Sequence, residues 1–172
     1  QPKIILANRI IWAFILLVII VSLSKKWQEL KEKLKNKRLL LLLTASSLLI
    51  GINWGLYIYA VVNDRILETS LGYYINPLLV VIIGVIIYKE KLNNLTKVAI
   101  GIAAIGLIIK GIQYGQIPIL SLALAISFAL YGGIKKSTII NSSLGLTIET
   151  ALLTPIALIY IIYNQWLGAG IY

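Results

Sequence analysis

A small set of polar and charged side chains interrupts the long apolar stretches of this chain: Arg9, Asn53, Asn76 and Glu149, with Trp54 and Tyr73 beside them. Their chemistry is that of recognition. A guanidinium can attract or orient an anionic or dipolar group, carboxamides can hydrogen-bond a solute, and aromatic faces can stack on it. A carboxylate such as Glu149 can accept a proton or a cationic group. Ionisable groups inside a membrane-length apolar stretch are costly, so function is their default reading. Each residue also has a plainer alternative. Arg9 can snorkel to one interface and Glu149 can reach the other. Asn53 and Asn76 can hydrogen-bond between helices for only ~1 kcal/mol, and the aromatic residues can sit in an interfacial belt. Bond-making chemistry is poorly supplied. There is no histidine and no cysteine, and Asp64, the sole aspartate, lies in a connector. That removes serine–histidine and thiol nucleophiles, imidazole and thiolate metal sites, and a paired-aspartate protease. No catalytic residue, metal or cofactor is expected, and neither is an enzyme.

These side chains are carried by apolar blocks at about Ile4–Leu23, Leu39–Val61, Thr69–Tyr88, Leu95–Ile112, Ile117–Ile134 and Leu144–Tyr163. Blocks of roughly 18 to 24 residues span a ~30 Å hydrocarbon core at ~1.5 Å per residue. The composition agrees, with 59% apolar and 13% charged residues and a mean hydropathy of +0.92. The expected fold is therefore all-α, a polytopic transmembrane helix bundle with about six spans, and its first partner is the lipid bilayer. The net charge of +10 would suggest nucleic acid in a soluble protein, but the charges sit between the apolar blocks, so no nucleic-acid partner is expected.

Orientation follows from the connectors. Lys25 to Arg38 holds six lysines and an arginine against Glu29 and Glu32, which marks it as cytoplasmic under the positive-inside bias. Lys89, Lys91 and Lys97 then fall inside, as do Lys135 and Lys136, and both ends of the chain fall outside. In the first connector Trp27, Leu30 and Leu34 recur at spacings of three and four, which fits either a helix in the headgroup layer or a solvated helical linker. Glu90 reads most simply as a solvated loop charge, unless it pairs with a neighbouring helix end. Pro77 and Pro155 lie inside spans, where each bends a helix and frees a carbonyl. Ala99, Gly101, Ala103, Ala104 and Gly106 give the fourth span a face that another helix can approach closely.

The helical rise places Arg9 and Tyr73 roughly 7 Å outward of the midplane, Asn53 and Asn76 roughly 3 to 4 Å outward, and Glu149 roughly 7 Å inward. Trp12, Trp54, Tyr57 and Tyr74 share the outer half. The outer group could line a pocket, whereas Arg9 and Glu149 lie too far apart in depth for a direct ion pair.

Several stretches resemble a known family: Asn8-Arg9 followed by Trp12, Asn53-Trp54-Gly55, the run from Leu67 through Gly72-Tyr73-Tyr74-Ile75-Asn76-Pro77 to Leu78, and Glu90 in a Lys-Glu-Lys turn. Ser127 to Gly132 and Ile148-Glu149-Thr150 extend the match. Together they resemble the RarD-type permeases, chloramphenicol-sensitivity proteins of the EamA branch of the drug/metabolite transporter superfamily. The resemblance implies ten helices in two inverted five-helix repeats around a central path. Residues 1–116 would then be helices two to five of the first EamA repeat, and 117–172 helices six and seven, at the start of the second. A chain of that kind is expected to be incomplete as a transporter. The implied protein is a multi-pass permease of the bacterial cytoplasmic (inner) membrane that moves a small-molecule solute by alternating access. Arg9, Asn53, Trp54, Tyr73, Asn76 and Glu149 are its candidate substrate-binding residues, and a homodimer is a candidate assembly. The rival reading is a membrane protein with a structural or interaction role and no transport.

Overall fold

The computed structural model describes residues 2–115 and 118–166. Their regular structure is entirely helical: α1 (Pro2–Leu23), α2 (Trp27–Leu34), α3 (Lys37–Val62), α4 (Ile66–Tyr88), α5 (Asn94–Tyr114), α6 (Ile119–Ser137) and α7 (Ser142–Trp166). All but α2 are long and apolar enough to cross a membrane. The bundle is therefore the polytopic one expected, with boundaries that differ in detail. The fourth helix of the chain starts at Ile66 rather than Thr69, because Glu68 in its first turn complements the positive end of the helix. Helix α7 starts at Ser142 and runs to Trp166. The expected start of the fifth span, Ile117, and the expected repeat boundary at 116–117 lie outside the described residues.

Local signals set the ends. Asn36 caps α3 by accepting from the Leu39 amide at 3.1 Å, and Asn93 caps α5 by accepting from the Thr96 amide at 2.7 Å. Gly115 ends α5 in the left-handed region at φ 72°, a conformation that favours glycine.

Helix α3 is the hub. It packs against α1, α7, α6 and, more lightly, α4. The α1/α7 pair is antiparallel: Ala7 and Ile10 meet Leu153 and Ala157 in one apolar cluster, while Val21 meets Leu144 and Ile148 in another. The α4/α6 pair is parallel and tied along its length. The Ser121 hydroxyl donates to the Glu68 carbonyl at 2.7 Å, the Tyr88 hydroxyl donates to the Gly133 carbonyl, and Lys136 pairs with Glu90. Glu90 is thus a helix-end partner. Gly72 permits the close α4/α6 approach, since a Cβ there would lie 3.1 Å from the Ser121 carbonyl oxygen.

Helix α2 is amphipathic as expected and docks on the bundle. Leu30 is buried with Val21, Leu39, Leu43, Leu144 and Ile148, and the Trp27 indole donates to the Ser22 hydroxyl at 3.1 Å. Helix α5 packs chiefly on α4 and has no buried residue among those described. Its small-residue face therefore receives no helix here: nothing among the described residues comes within 4 Å of a Cβ placed on Gly101 or Gly106. Large apolar side chains such as Ile86, Leu95 and Ile102 project outward, which suits acyl chains as surroundings and not water.

Candidate functional site

Two polar sites lie at different heights along α3 and α6. The first is a recess between α3, α4 and α6, lined by Asn53, Tyr57, Thr69, Gly72, Tyr73, Asn76, Leu124 and Phe128. Its cavity volume of about 20 Å³ has room for one water-sized group. It lies in the half of the bundle remote from the lysine-rich connectors, near the start of α4 and α6 and the end of α3. Three of the candidate residues, Asn53, Tyr73 and Asn76, therefore come together.

Their roles differ. The Asn53 amide nitrogen donates to the Leu124 carbonyl at 2.9 Å and to the Ser127 hydroxyl at 3.0 Å, so it holds α3 to α6. Asn76 does the opposite: its Oδ1 is buried and no described group donates to it. A buried acceptor without a donor costs ~1–3 kcal/mol, so this one calls for an explanation. Pro77 adds a second acceptor on the same helix. Lacking an N–H, it cannot bond the carbonyl four residues earlier, which is that of Tyr73. The Tyr57 and Tyr73 rings meet edge to face, with centroids 6.2 Å apart and planes at 67°. The Thr69 hydroxyl is satisfied by its own helix, through the Ile66 carbonyl at 2.7 Å.

Arg9 and Trp54 form a separate pair. The Arg9 guanidinium carbon lies 4.7 Å from the centre of the Trp54 ring, within reach of the ring's negative face. Neither residue lines the recess. Trp54 packs instead on the Ala7, Ile10, Ile50, Leu153 and Ala157 cluster. Trp12 and Tyr74 are largely exposed, as belt residues would be.

The second site surrounds Glu149. Its side chain is completely buried and accepts from three directions: the Ser46 hydroxyl of α3 at 2.5 Å, the Tyr131 hydroxyl of α6 at 3.2 Å, and the Lys135 ammonium of α6 at 3.1 Å. Gly145, one turn earlier on α7, makes room for this, because a Cβ there would lie 2.5 Å from Lys135 Nζ. Glu149 and Arg9 do not pair, in keeping with their difference in depth. Glu149 also does not reach the interface; Lys135, with 19% of its side chain exposed, comes to it. Sequence reasoning placed Lys135 among the connector charges and passed over Ser46. The available signal was the four-residue spacing of Tyr131 and Lys135, which puts both on one face of α6.

The remaining charges are simple ties. Arg65 pairs with buried Glu68 at 2.5 Å in the first turn of α4. Among the described residues no three His, Cys, Asp or Glu side chains gather as a metal site would require.

Residues 1–112 match the EamA-like transporter family. The chain is 50% identical over 164 residues to an uncharacterized transporter of Bacillus subtilis, YojE, covering 93% of this chain and 55% of that protein. It is 40% identical over 165 residues to protein RarD of Streptomyces exfoliatus, covering 96% of this chain and 51% of that one. With protein RarD of Escherichia coli K12 the identity is 38% over 157 residues, or 91% and 53% of the two chains. The chain thus spans about half the length of the curated relatives it matches. No solved structure matches it.

Proposed function

The chain belongs to the EamA-like transporter family, and we propose that it forms part of a permease that carries a small metabolite or drug-like solute across the bacterial cytoplasmic membrane. One observation carries this reading above all: the recess holds a buried, unpartnered acceptor on Asn76 beside a proline-broken helix and a tyrosine pair. A polar, unpartnered group in a recess between three helices is more than apolar packing requires. The lysine-rich connectors put the recess in the outer half and the Glu149 cluster in the cytoplasmic half. In an alternating-access cycle the recess is then the solute site in its outward-facing form, and the Glu149 cluster is the closed cytoplasmic side.

Roles follow for the candidate residues. The Asn76 carboxamide hydrogen-bonds the solute, Tyr57 and Tyr73 pack on it, and Asn53 fixes the wall formed by α3 and α6. Arg9 on Trp54 stands apart from the recess and shapes the field at its outer approach. Glu149 joins three helices beneath the site. Helices α1 and α3 to α5 correspond to helices two to five of the first repeat, and α6 and α7 open the second.

The test is cysteine accessibility in the intact protein at positions 53, 73, 76 and 149, using a small water-soluble thiol reagent with and without candidate solutes. Labelling at 53, 73 and 76 that a solute blocks supports the reading. Positions that stay inert to the reagent throughout would reduce the recess to a packing defect.

A further inference from the structure

A larger cavity lies apart from both polar sites, at the lysine-rich ends of α1 and α7 beside α2. From it we infer a binding site for one anionic phospholipid of the cytoplasmic leaflet, with an acyl chain in the groove between these helices and the headgroup phosphate on Lys31 and Lys35 of α2.

The groove suits a hydrocarbon chain. Its volume is about 260 Å³, and its walls include Phe14 and Val18 of α1, Trp27 and Leu34 of α2, and Ala151 and Leu152 of α7. The two polar side chains of the wall are already engaged: the Thr147 hydroxyl donates to the Ser143 carbonyl at 2.7 Å, and the Trp27 indole donates to Ser22 at 3.1 Å. Depth agrees. Val18 and Thr147 lie about 8 Å from the ends of α1 and α7 that adjoin the lysine-rich connectors, and Phe14 and Ala151 about 14 Å. The groove thus runs through most of the ~15 Å of hydrocarbon in one leaflet.

The rim suits a phosphate. On α2, Trp27, Leu30 and Leu34 form the apolar stripe, Lys31 and Lys35 follow along one edge of it, and Glu29 and Glu32 turn to the far side. Both lysines are exposed, and neither forms an ion pair among the described residues. They are also held in place. Leu30 is buried in the core, Trp27 is tied to Ser22, and the Lys33 ammonium on the other edge donates to the Ile139 carbonyl at 3.3 Å. Orientation across the membrane asks for cations anywhere in the connector. It does not ask for them along an apolar groove. Basic residues beside a membrane helix attract anionic lipid headgroups, and the rest of the ligand follows from the walls. A soluble anion would answer the lysines and leave the groove empty, while a zwitterionic lipid would bring its own cation against them. An anionic phospholipid answers both.

The experiment uses the intact protein in phosphatidylcholine vesicles, with Trp27 as its only tryptophan and the others replaced by phenylalanine. Quenching of Trp27 fluorescence is measured as a growing fraction of the lipid is exchanged for phosphatidylglycerol or phosphatidylcholine with brominated chains. Brominated phosphatidylglycerol is expected to quench at the lower fraction and to saturate. Lys31→Gln and Lys35→Gln should each weaken that preference about fivefold. Ala151→Phe, which fills the groove and keeps every lysine, should remove the saturable part. The comparison of the two lipids on the unaltered groove stands even where Ala151→Phe fails to fold. Equal quenching by both lipids would overturn the site, as would a Trp27 that neither lipid quenches because another helix of the intact protein fills the groove. A preference that survives Ala151→Phe would reduce the lysines to a diffuse attraction for the anionic surface and overturn the groove. Loss of the preference on adding soluble glycerol phosphate at constant ionic strength would make the lysines a site for free phosphate esters and overturn the lipid.

Discussion

The Lys135–Glu149 pair predicts an asymmetry that can be measured. Glu149 is fully buried and Lys135 is four-fifths buried, so desolvation of both charges is offset by their attraction and by the Ser46 and Tyr131 hydroxyls. Lys135→Met leaves a buried carboxylate held only by two neutral donors, and breaking a buried pair in this way costs ~3–5 kcal/mol. Glu149→Gln costs less, ~1–2 kcal/mol, because the amide oxygen can still accept from Ser46, the amide nitrogen can donate to the Tyr131 hydroxyl with that bond reversed, and the lysine can swing toward its exposed side. The double variant Lys135→Met with Glu149→Leu removes both charges and should lie close to the parent, as apolar replacements of buried ion pairs often do. Detergent-titration unfolding of the intact protein in mixed micelles gives all the stabilities of the cycle Lys135→Met, Glu149→Leu and the pair. The expected interaction energy is at least ~1.5 kcal/mol. Additive losses, or a Lys135→Met variant no less stable than Glu149→Gln, would refute the reasoning and leave the pair without structural weight.

Three further outcomes follow from other contacts. Gly145→Ala drives a Cβ to within 2.5 Å of Lys135 Nζ and 3.2 Å of Ile140 Cγ2, so it should destabilise the parent and cost less in the Lys135→Met background, where only the Ile140 contact stays tight, as read by the same unfolding assay. Asn53→Leu removes the two bonds from α3 to Leu124 and Ser127, and at ~0.6 kcal/mol for an average interhelical bond in a membrane the loss should be about 1 kcal/mol, seen as a lower midpoint of thermal unfolding. The Lys136–Glu90 pair is about half exposed on both sides, so Glu90→Gln should cost well under ~1 kcal/mol, and the difference from the parent should vanish in high salt.

The spans were legible in the sequence because hydrophobic length is a one-dimensional signal: an apolar run of membrane length reads the same in a string and in a bundle. The polar sites were legible only in part. Depth along a helix can be counted from its ends, and that counting brought Asn53, Tyr73 and Asn76 to one height, where the recess unites them. Azimuth cannot be counted without knowing which helices are neighbours. Arg9 and Trp54 share that height, yet they face each other away from the recess. Asn53 and Trp54 are adjacent in sequence, and the ~100° between successive helical residues sends one into the recess and the other into the α1/α7 cluster. Lys135 was misread for a related reason. Counted along the chain it belongs to a cytoplasmic connector, but a long side chain crossing a glycine can reach a carboxylate on the next helix. The small-residue face of α5 is legible as a surface and silent about its occupant, since Gly101 and Gly106 meet nothing among the described residues.

The two polar sites share their walls, and that bears on how a transport cycle would work. Ser46 and Asn53 are two turns apart along one face of α3, about 10 Å in height. On α6, Leu124, Phe128, Tyr131 and Lys135 likewise follow one face from the recess to Glu149. Helix α4 serves only the recess and α7 only the carboxylate, but α6 serves both. It is also locked to α4 near both ends, through Ser121 and Glu68 and through Gly133 and Tyr88. Under alternating access, movement of the α4/α6 pair away from α3 and α7 would break the Asn53 bonds to Leu124 and Ser127 in the same stroke as the Tyr131 and Lys135 bonds to Glu149. The Ser46 bond would survive, because α3 and α7 stay together. Solute that bridges Asn76 on α4 to the α3 wall would resist that movement at the recess, while any group that satisfies Glu149 in place of Lys135 would ease it below. Because α6 carries ties to both sites, a movement that releases one site cannot leave the other untouched, and the state of the recess is mechanically coupled to that of the Glu149 cluster.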